Sequence, residues 1–170
     1  MLLSAVVFCL CNPNASRAEQ GVEYKVKAAF LLNFARFVTW PPARMSTPSF
    51  ALCVVGIDPF GDALAGIETK AVGGKSVQLR FSAATAKELR QCRMLFVSQS
   101  EARDVGRILK MIDGQPVVTV SDIEGFAETG GTFEFKDQRG RLSFIINNSG
   151  AKQQGLSISS SLLNLAVDVL

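Results

Sequence analysis

The longest apolar pattern in the chain runs from Tyr24 to Pro41, YKVKAAFLLNFARFVTWP, and its period is that of a helix. At about 3.6 residues per turn, Val22, Val26, Phe30, Asn33 and Phe37 fall along one line of the helix. Leu31, Phe34 and Val38 fall along a second line about a quarter-turn away. Charge reaches water through a narrow stripe of Lys25, Ala29, Leu32 and Arg36, much less than the polar half of an ordinary surface helix. Two apolar lines ask for two partners. Trp40, Pro41 and Pro42 stop the helix, because proline lacks a backbone donor and biases its predecessor away from helix.

Beyond the prolines the period changes. FALCVVGI (Phe50 to Ile57) is a short, β-branched apolar run, the pattern of a strand buried on both faces. Asp58 and Pro59 then read as N-cap and first residue of a helix that continues through Leu64 to a stop near Gly66. KSVQLRF (Lys75 to Phe81) alternates Val77, Leu79 and Phe81 with polar residues, a half-exposed strand. A helical stretch from Ser82 to Arg90 leads to a second buried strand, Cys92 to Ser98. A helix from Ser100 or Glu101 to Ile112 follows, with Val105, Ile108, Leu109 and Ile112 as its apolar stripe, and then a strand from Pro116 to Ser121.

Strand and helix alternating from Phe50 to Ser121 predict parallel strands joined by right-handed crossovers. TFEFKD, a turn at Gln138 to Gly140, and RLSFIIN predict an antiparallel hairpin added to that sheet. A closing helix is expected from Ser159 to Val169 on the apolar positions Leu162, Leu163, Ala166 and Val169. The fold class is therefore α/β, with a largely parallel central sheet extended by a C-terminal antiparallel hairpin and helices on both faces. The segment Asp122 to Gly131 holds Gly125, Gly130 and Gly131 and reads either as a mobile loop or as plain turns.

The N-terminal run MLLSAVVFCLC has the length of a signal-peptide core, and Ser16 and Ala18 stand at the spacing a signal peptidase reads. Cleavage is expected after Ala18, leaving residues 19–170 as one domain. The run is far shorter than the roughly 20 residues that span a bilayer. Loss of Arg17 lowers the net charge by one from +3, a near-neutral balance that gives no basic footprint for nucleic acid. Cys53 and Cys92 remain, and in an oxidising compartment they most simply form one disulfide, two buried thiols being the alternative.

The chain has no histidine, which removes the usual general base near neutral pH and the commonest transition-metal ligand. No G-x-S-x-G, H-E-x-x-H or S-x-x-K pattern occurs, and bonded thiols leave zinc without a ligand set. Gly74, Lys75 and Ser76 imitate the end of a phosphate-binding loop, but Thr69 stands where its first glycine belongs and a strand follows instead of a helix. Asp58 and Asp62 are explained by capping and first-turn charge. No enzyme, cofactor or metal is expected.

KVKAAFLLNFARFVTWP, GIDPFG, GQPVVTVSDIEGFAETGG and IINNSGAKQQGLSISSSLLNLA, in that order, closely resemble the YfiR-like family of periplasmic proteins over nearly the whole mature chain. The resemblance implies an α/β domain, often dimeric, that represses an inner-membrane diguanylate cyclase through its periplasmic region. It also implies relief when an OmpA-like outer-membrane lipoprotein sequesters the repressor. By position Cys53 and Cys92 match the family's disulfide pair, while a second pair that some members carry in the C-terminal half has no counterpart here, no cysteine following Cys92.

A chain without catalytic groups but with surplus apolar helix surface acts by binding. Phe30, Phe34, Phe37 and Trp40, with Leu156, Ile158 and Leu162, are the candidate partner or dimer residues, plain core being the alternative for each. A small-molecule sensor is the competing function, with its ligand at the carboxyl ends of the parallel strands, lined by the loops after Ile57 and Ser98.

Overall fold

A computed structural model describes residues 13–170. Helix α1 (Pro13–Phe37) opens it, so the expected cleavage point after Ala18 falls in the first turns of α1 and the apolar run before it lies outside the described residues. The chain continues through β1 (Val38–Thr39), β2 (Ser49–Val55), β3 (Ala71–Val72), β4 (Lys75–Ser82), α2 (Ala86–Leu89), β5 (Met94–Val97), α3 (Val105–Met111) and β6 (Val118–Ser121). It closes with β7 (Phe133–Asp137), β8 (Leu142–Ile146), α4 (Asn148–Gln153), β9 (Ser157–Ile158), α5 (Ser160–Leu163) and β10 (Asp168–Val169).

The main sheet has eight strands in the order β10-β8-β7-β6-β5-β2-β4-β3. From β4 through β2, β5 and β6 to β7 every pairing is parallel, and β7–β8 is the expected antiparallel hairpin. This is the doubly wound order in which the chain steps outward one way from β2 to β4, then returns past β2 and steps the other way. Handed crossovers put the two directions on opposite faces. The front face carries α1, whose Leu31 and Phe34 are fully buried on Phe133, Phe135, Phe144 and Phe96 of the sheet's larger core. Phe34 stacks on Phe133 with ring centroids 4.2 Å apart. The back face carries Leu89 at the end of α2 together with Val105 and Ile108 of α3, packed on Val55, Leu95 and Val97.

Cys53 of β2 is bonded to Cys92, two residues before the neighbouring β5, with Cα atoms 5.9 Å apart, as the strand order allows. Glycines in Asp122 to Gly131 make turns in a loop that is pinned: Gly125 N and Ala127 N donate to the buried Glu134 carboxylate at 3.2 and 3.0 Å. Gly131 is there because any Cβ would overlap the Phe126 ring.

Several expected elements differ. The long helix ends at Phe37, three residues early, because Val38 and Thr39 pair with Ile158 and Ser157 as a small antiparallel bridge. Asp58 does cap, accepting from Phe60 N at 2.8 Å and Gly61 N at 3.2 Å, but one 3-10 turn (Gly61–Leu64) follows and left-handed Gly66 ends it. Val77 is buried as the alternation predicts, whereas Phe81 points to solvent where β4 has outrun its short neighbour β3.

The closing helix is a single turn, after which β10 runs parallel to β8 with Val167 N on Phe144 O at 3.0 Å and Leu170 N on Ile146 O at 2.9 Å. Those bonds satisfy an otherwise open β8 edge. Leu165, Val167 and Val169 also have a period of two, and the edge selects it.

Candidate functional site

α1 presents its two apolar lines to different surroundings. Leu31, Phe34 and Val38 are core, joined by Ala28 and Ala35, and Tyr24 and Phe30 pack at the margin. Val22, Val26, Asn33 and Phe37 face outward, with Phe37 41% exposed. Leu165, Val167, Val169 and Leu170 are exposed after α5, which itself packs on α1, with Ser159 N donating to Phe37 O at 2.9 Å.

Of the seven residues put forward as partner or dimer contacts, Phe34, Trp40, Leu156, Ile158 and Leu162 are buried within one chain. Phe30 is half-buried between Phe34, Phe135 and Phe144, and Phe37 is open. The two cysteines are inside the back core.

At the carboxyl ends of the parallel strands the sequence pointed to loops after Ile57 and Ser98. The structure closes that switch point: Ser98 Oγ donates to Ile57 O at 2.6 Å, and Ile57 N donates to Ser100 Oγ at 2.9 Å. Gly56, at φ 91°, permits this approach, since a Cβ would collide with Ser100 and Glu101.

The cleft opens further along the same end, with a volume of about 280 Å³ between α1 and the tips of β5, β6 and β7. Its floor is Lys27, 3% exposed, whose ammonium lies 2.6 Å from both Glu23 and Asp122 and 4.4 Å from the Tyr24 ring centroid. Tyr24 OH donates to the same Asp122 oxygen at 2.8 Å. Asp122 Oδ1 is buried without a donor.

Burial, then the adjacent Asp122 charge and hydrogen bond, push the Tyr24 phenol well above its ordinary range. Lys136, which lines the rim, is held charged to higher pH by its hydrogen bond to Glu134 at 3.3 Å. The arrangement suits a short polar molecule offering a donor to Asp122; among the described residues no group of three acids, cysteines or histidines is placed to hold a metal.

Sequence reasoning missed Tyr24, Lys27 and Asp122. Lys27 lies one turn before Leu31 on the buried line, and a lysine inside an apolar stripe demands a carboxylate partner from another element. That requirement was the available signal; the partner's identity needed the fold.

Among solved structures, the chain is similar to an ABC domain from Streptococcus pneumoniae in complex with L-Trp, at 14% identity and a TM-score of 0.53. That alignment covers 82% of this chain and 59% of the other, so the chain spans well under two thirds of its length. A conserved domain protein from Vibrio cholerae aligns with a TM-score of 0.48 and 12% identity, over 71% of this chain and 54% of that one. Likeness at this identity concerns the α/β fold. Among the described residues no helix is long and apolar enough to cross a membrane, and the disulfide fits an oxidising compartment. The family model described as YfiR/HmsC-like matches residues 24–167, from Tyr24 in α1 to the residue before the last strand. The chain therefore belongs to the YfiR/HmsC-like family, a family of periplasmic regulators.

Proposed function

We propose that the protein is exported, loses residues 1–18, and acts in the periplasm by binding the periplasmic region of an inner-membrane diguanylate cyclase and holding cyclic-di-GMP synthesis down. Sequestration by an OmpA-like outer-membrane lipoprotein relieves the repression by competing for the same protein, which requires no chemistry from this chain. The observation that carries this reading is the open apolar line Val22, Val26 and Phe37 on α1, together with exposed Leu165 and Val167 after α5, which packs on α1. Such apolar surface is costly in water unless a second copy or a partner covers it.

Among the proposed contact residues Phe37 and Phe30 are the ones within a partner's reach; Phe34, Trp40, Leu156, Ile158 and Leu162 support the surface from beneath. Pull-down with the periplasmic domain of a neighbouring cyclase tests it. Phe37→Asp is expected to lower capture by about tenfold or more while leaving the melting temperature nearly unchanged, because the ring is already wet. Unchanged cyclic-di-GMP after deletion of the gene would sink the reading.

A second reading, a small-molecule sensor, is favoured by the buried, donorless Asp122 Oδ1 in the carboxyl-end cleft. It also agrees with the L-Trp complex of the similar ABC domain. A thermal-shift screen of amines and amino acids separates the two: a hit abolished by Asp122→Asn favours sensing, and a screen without hits leaves protein binding alone.

A further inference from the structure

On the back face, beside β4 and toward the amino ends of β2 and β5, lies a second cavity of about 250 Å³ whose walls include Arg44, Arg80, Arg90 and Arg93, with Thr47 and Ser49 between them. The fold assembles this set from four separate places. Arg44 comes from the 3-10 turn after the prolines, Arg80 from β4, Arg90 from the end of α2, and Arg93 from the residue after disulfide-bonded Cys92. Arg93 is 3% exposed, as deeply buried as a core residue.

None of these guanidiniums forms an ion pair with a carboxylate among the described residues. Their partners are neutral: Arg44 Nη2 donates to Cys92 O at 2.7 Å, Arg80 Nη2 to Gln78 Oε1 at 2.7 Å, Arg90 Nε to Met111 O at 2.8 Å, and Arg93 Nη2 to Thr47 Oγ1. The Nε groups of Arg44 and Arg93 are buried with no acceptor at all. Burial lowers the pKa of both, and for Arg93 the Arg44 charge lowers it further. Lys75 adds another cation close by, its Nζ on Thr47 O at 2.6 Å.

Buried cations normally come with a counter-charge, since unpaired burial costs several kcal/mol per ion. Arg93 is buried and Arg44 half-buried, and the orphan Nε donors of both stand without the counter-charge that burial calls for. We propose that this cavity binds a phosphate-type oxyanion, either inorganic phosphate or the terminal phosphate of a small ester. Four forks converging from different elements present more donors, over more directions, than the two coplanar oxygens of one carboxylate accept. A tetrahedral dianion accepts from all of them and neutralises more of the charge. The cavity has room for about eight waters at ~30 Å³ each, so a phosphate enters with part of its hydration or with the rest of a small ester attached. The inference is independent of the proposed cyclase partner, whose surface lies on the other face of the sheet.

The test uses the mature chain purified from periplasm, with thermal melts and titration calorimetry at matched ionic strength in chloride, sulfate, inorganic phosphate, glycerol 3-phosphate and succinate, and with phosphatidylglycerol vesicles as a separate arm. Phosphate or glycerol 3-phosphate at millimolar concentration is expected to raise the melting temperature by about 3 °C over chloride, the two arms identifying free or esterified phosphate as the source. Arg80→Gln, on a half-exposed side chain, is expected to weaken that binding about tenfold without loss of fold.

Arg93→Gln is expected to abolish the shift while melting higher than the parent in chloride, the reverse of what a purely structural arginine would do. A shift no larger than chloride gives, an equal response to succinate, binding confined to vesicles, or a response that survives both substitutions overturns the proposal.

Discussion

The two ends of one parallel sheet carry cavities of similar size and opposite electrostatic design. At the carboxyl end, the buried Lys27 meets Glu23 and Asp122 at 2.6 Å, and Lys136 meets Glu134 at 3.3 Å, so the cations are neutralised from within. At the amino end, four arginines face a cavity with only neutral acceptors, and two of their buried donors have none. The difference teaches that buried charge in this protein is not uniformly structural. Where the chain supplies the counter-ion, the cluster ties α1 to the sheet; where it does not, the charge is left for something outside the chain. Substitutions at the two ends consequently act with opposite signs.

The largest expected effect is removal of the disulfide that braces the amino end. Cys53→Ala with Cys92→Ala opens a link across a separation of 39 residues, a loss of about 4 kcal/mol by the chain-entropy estimate. Denaturant melts measure it, and hydrogen exchange is expected to rise first around Arg93 and Met94 while α1 on Phe133 stays protected. Protection lost equally at both ends would break the comparison.

Next comes Asp122→Ala, which strands Lys27 in a nearly dry site with only half-exposed Glu23 for company and removes the acceptor of Tyr24 OH. A loss of about 3 kcal/mol is expected in urea melts, with much of it restored by Lys27→Met in the same chain. Arg93→Gln at the other end is expected to gain about 1 kcal/mol in anion-free buffer, since it deletes a buried charge with no carboxylate counter-ion at the cost of one neutral hydrogen bond to Thr47. Equal losses for Asp122→Ala and Arg93→Gln would erase the distinction.

The smallest effect is a titration. Tyr24 is the one tyrosine in the chain, so phenolate absorbance reports on it alone. Its folded pKa is raised above the unfolded value of about 10, by burial first and by Asp122 second. The stability it contributes is therefore fully present below about pH 10 and is lost as pH rises through the folded value. Absorbance is expected to stay flat through pH 10 and to rise with alkaline unfolding. In Asp122→Ala the rise moves to lower pH.

Much of the fold could be read from the chain because the informative runs are short-range signals. The continuous apolar runs hold strands buried on both faces, Phe50 to Val55 and Met94 to Val97, because they have no polar side to show, whereas Ile57 lies past the end of its strand and is exposed. The hairpin of β7 and β8 was legible from alternation and a glycine turn. Elements built by pairing at a distance were not. β1 exists because Ile158 lies opposite Val38, and β10 because the β8 edge was open; neither sequence segment carries that information. α4 was overlooked for a related reason, since its apolar content is Ala151 and it is held by the Asn147 cap on Gly150 N at 2.7 Å.

The candidate sites divide in the same way. By itself the amino-acid sequence determined the α/β class, the family, the expectation of an export signal, the absence of histidine chemistry and the surplus of apolar surface on one helix. Periodicity, composition and residue order are properties of neighbours along the chain. Tertiary structure decided which line of α1 meets Phe133 and which meets solvent, paired Lys27 with a carboxylate 95 residues away, and gathered Arg44, Arg80, Arg90 and Arg93 around one cavity. Charge and burial become chemistry only through distances between residues remote in sequence, and those distances are set by how the sheet is wound.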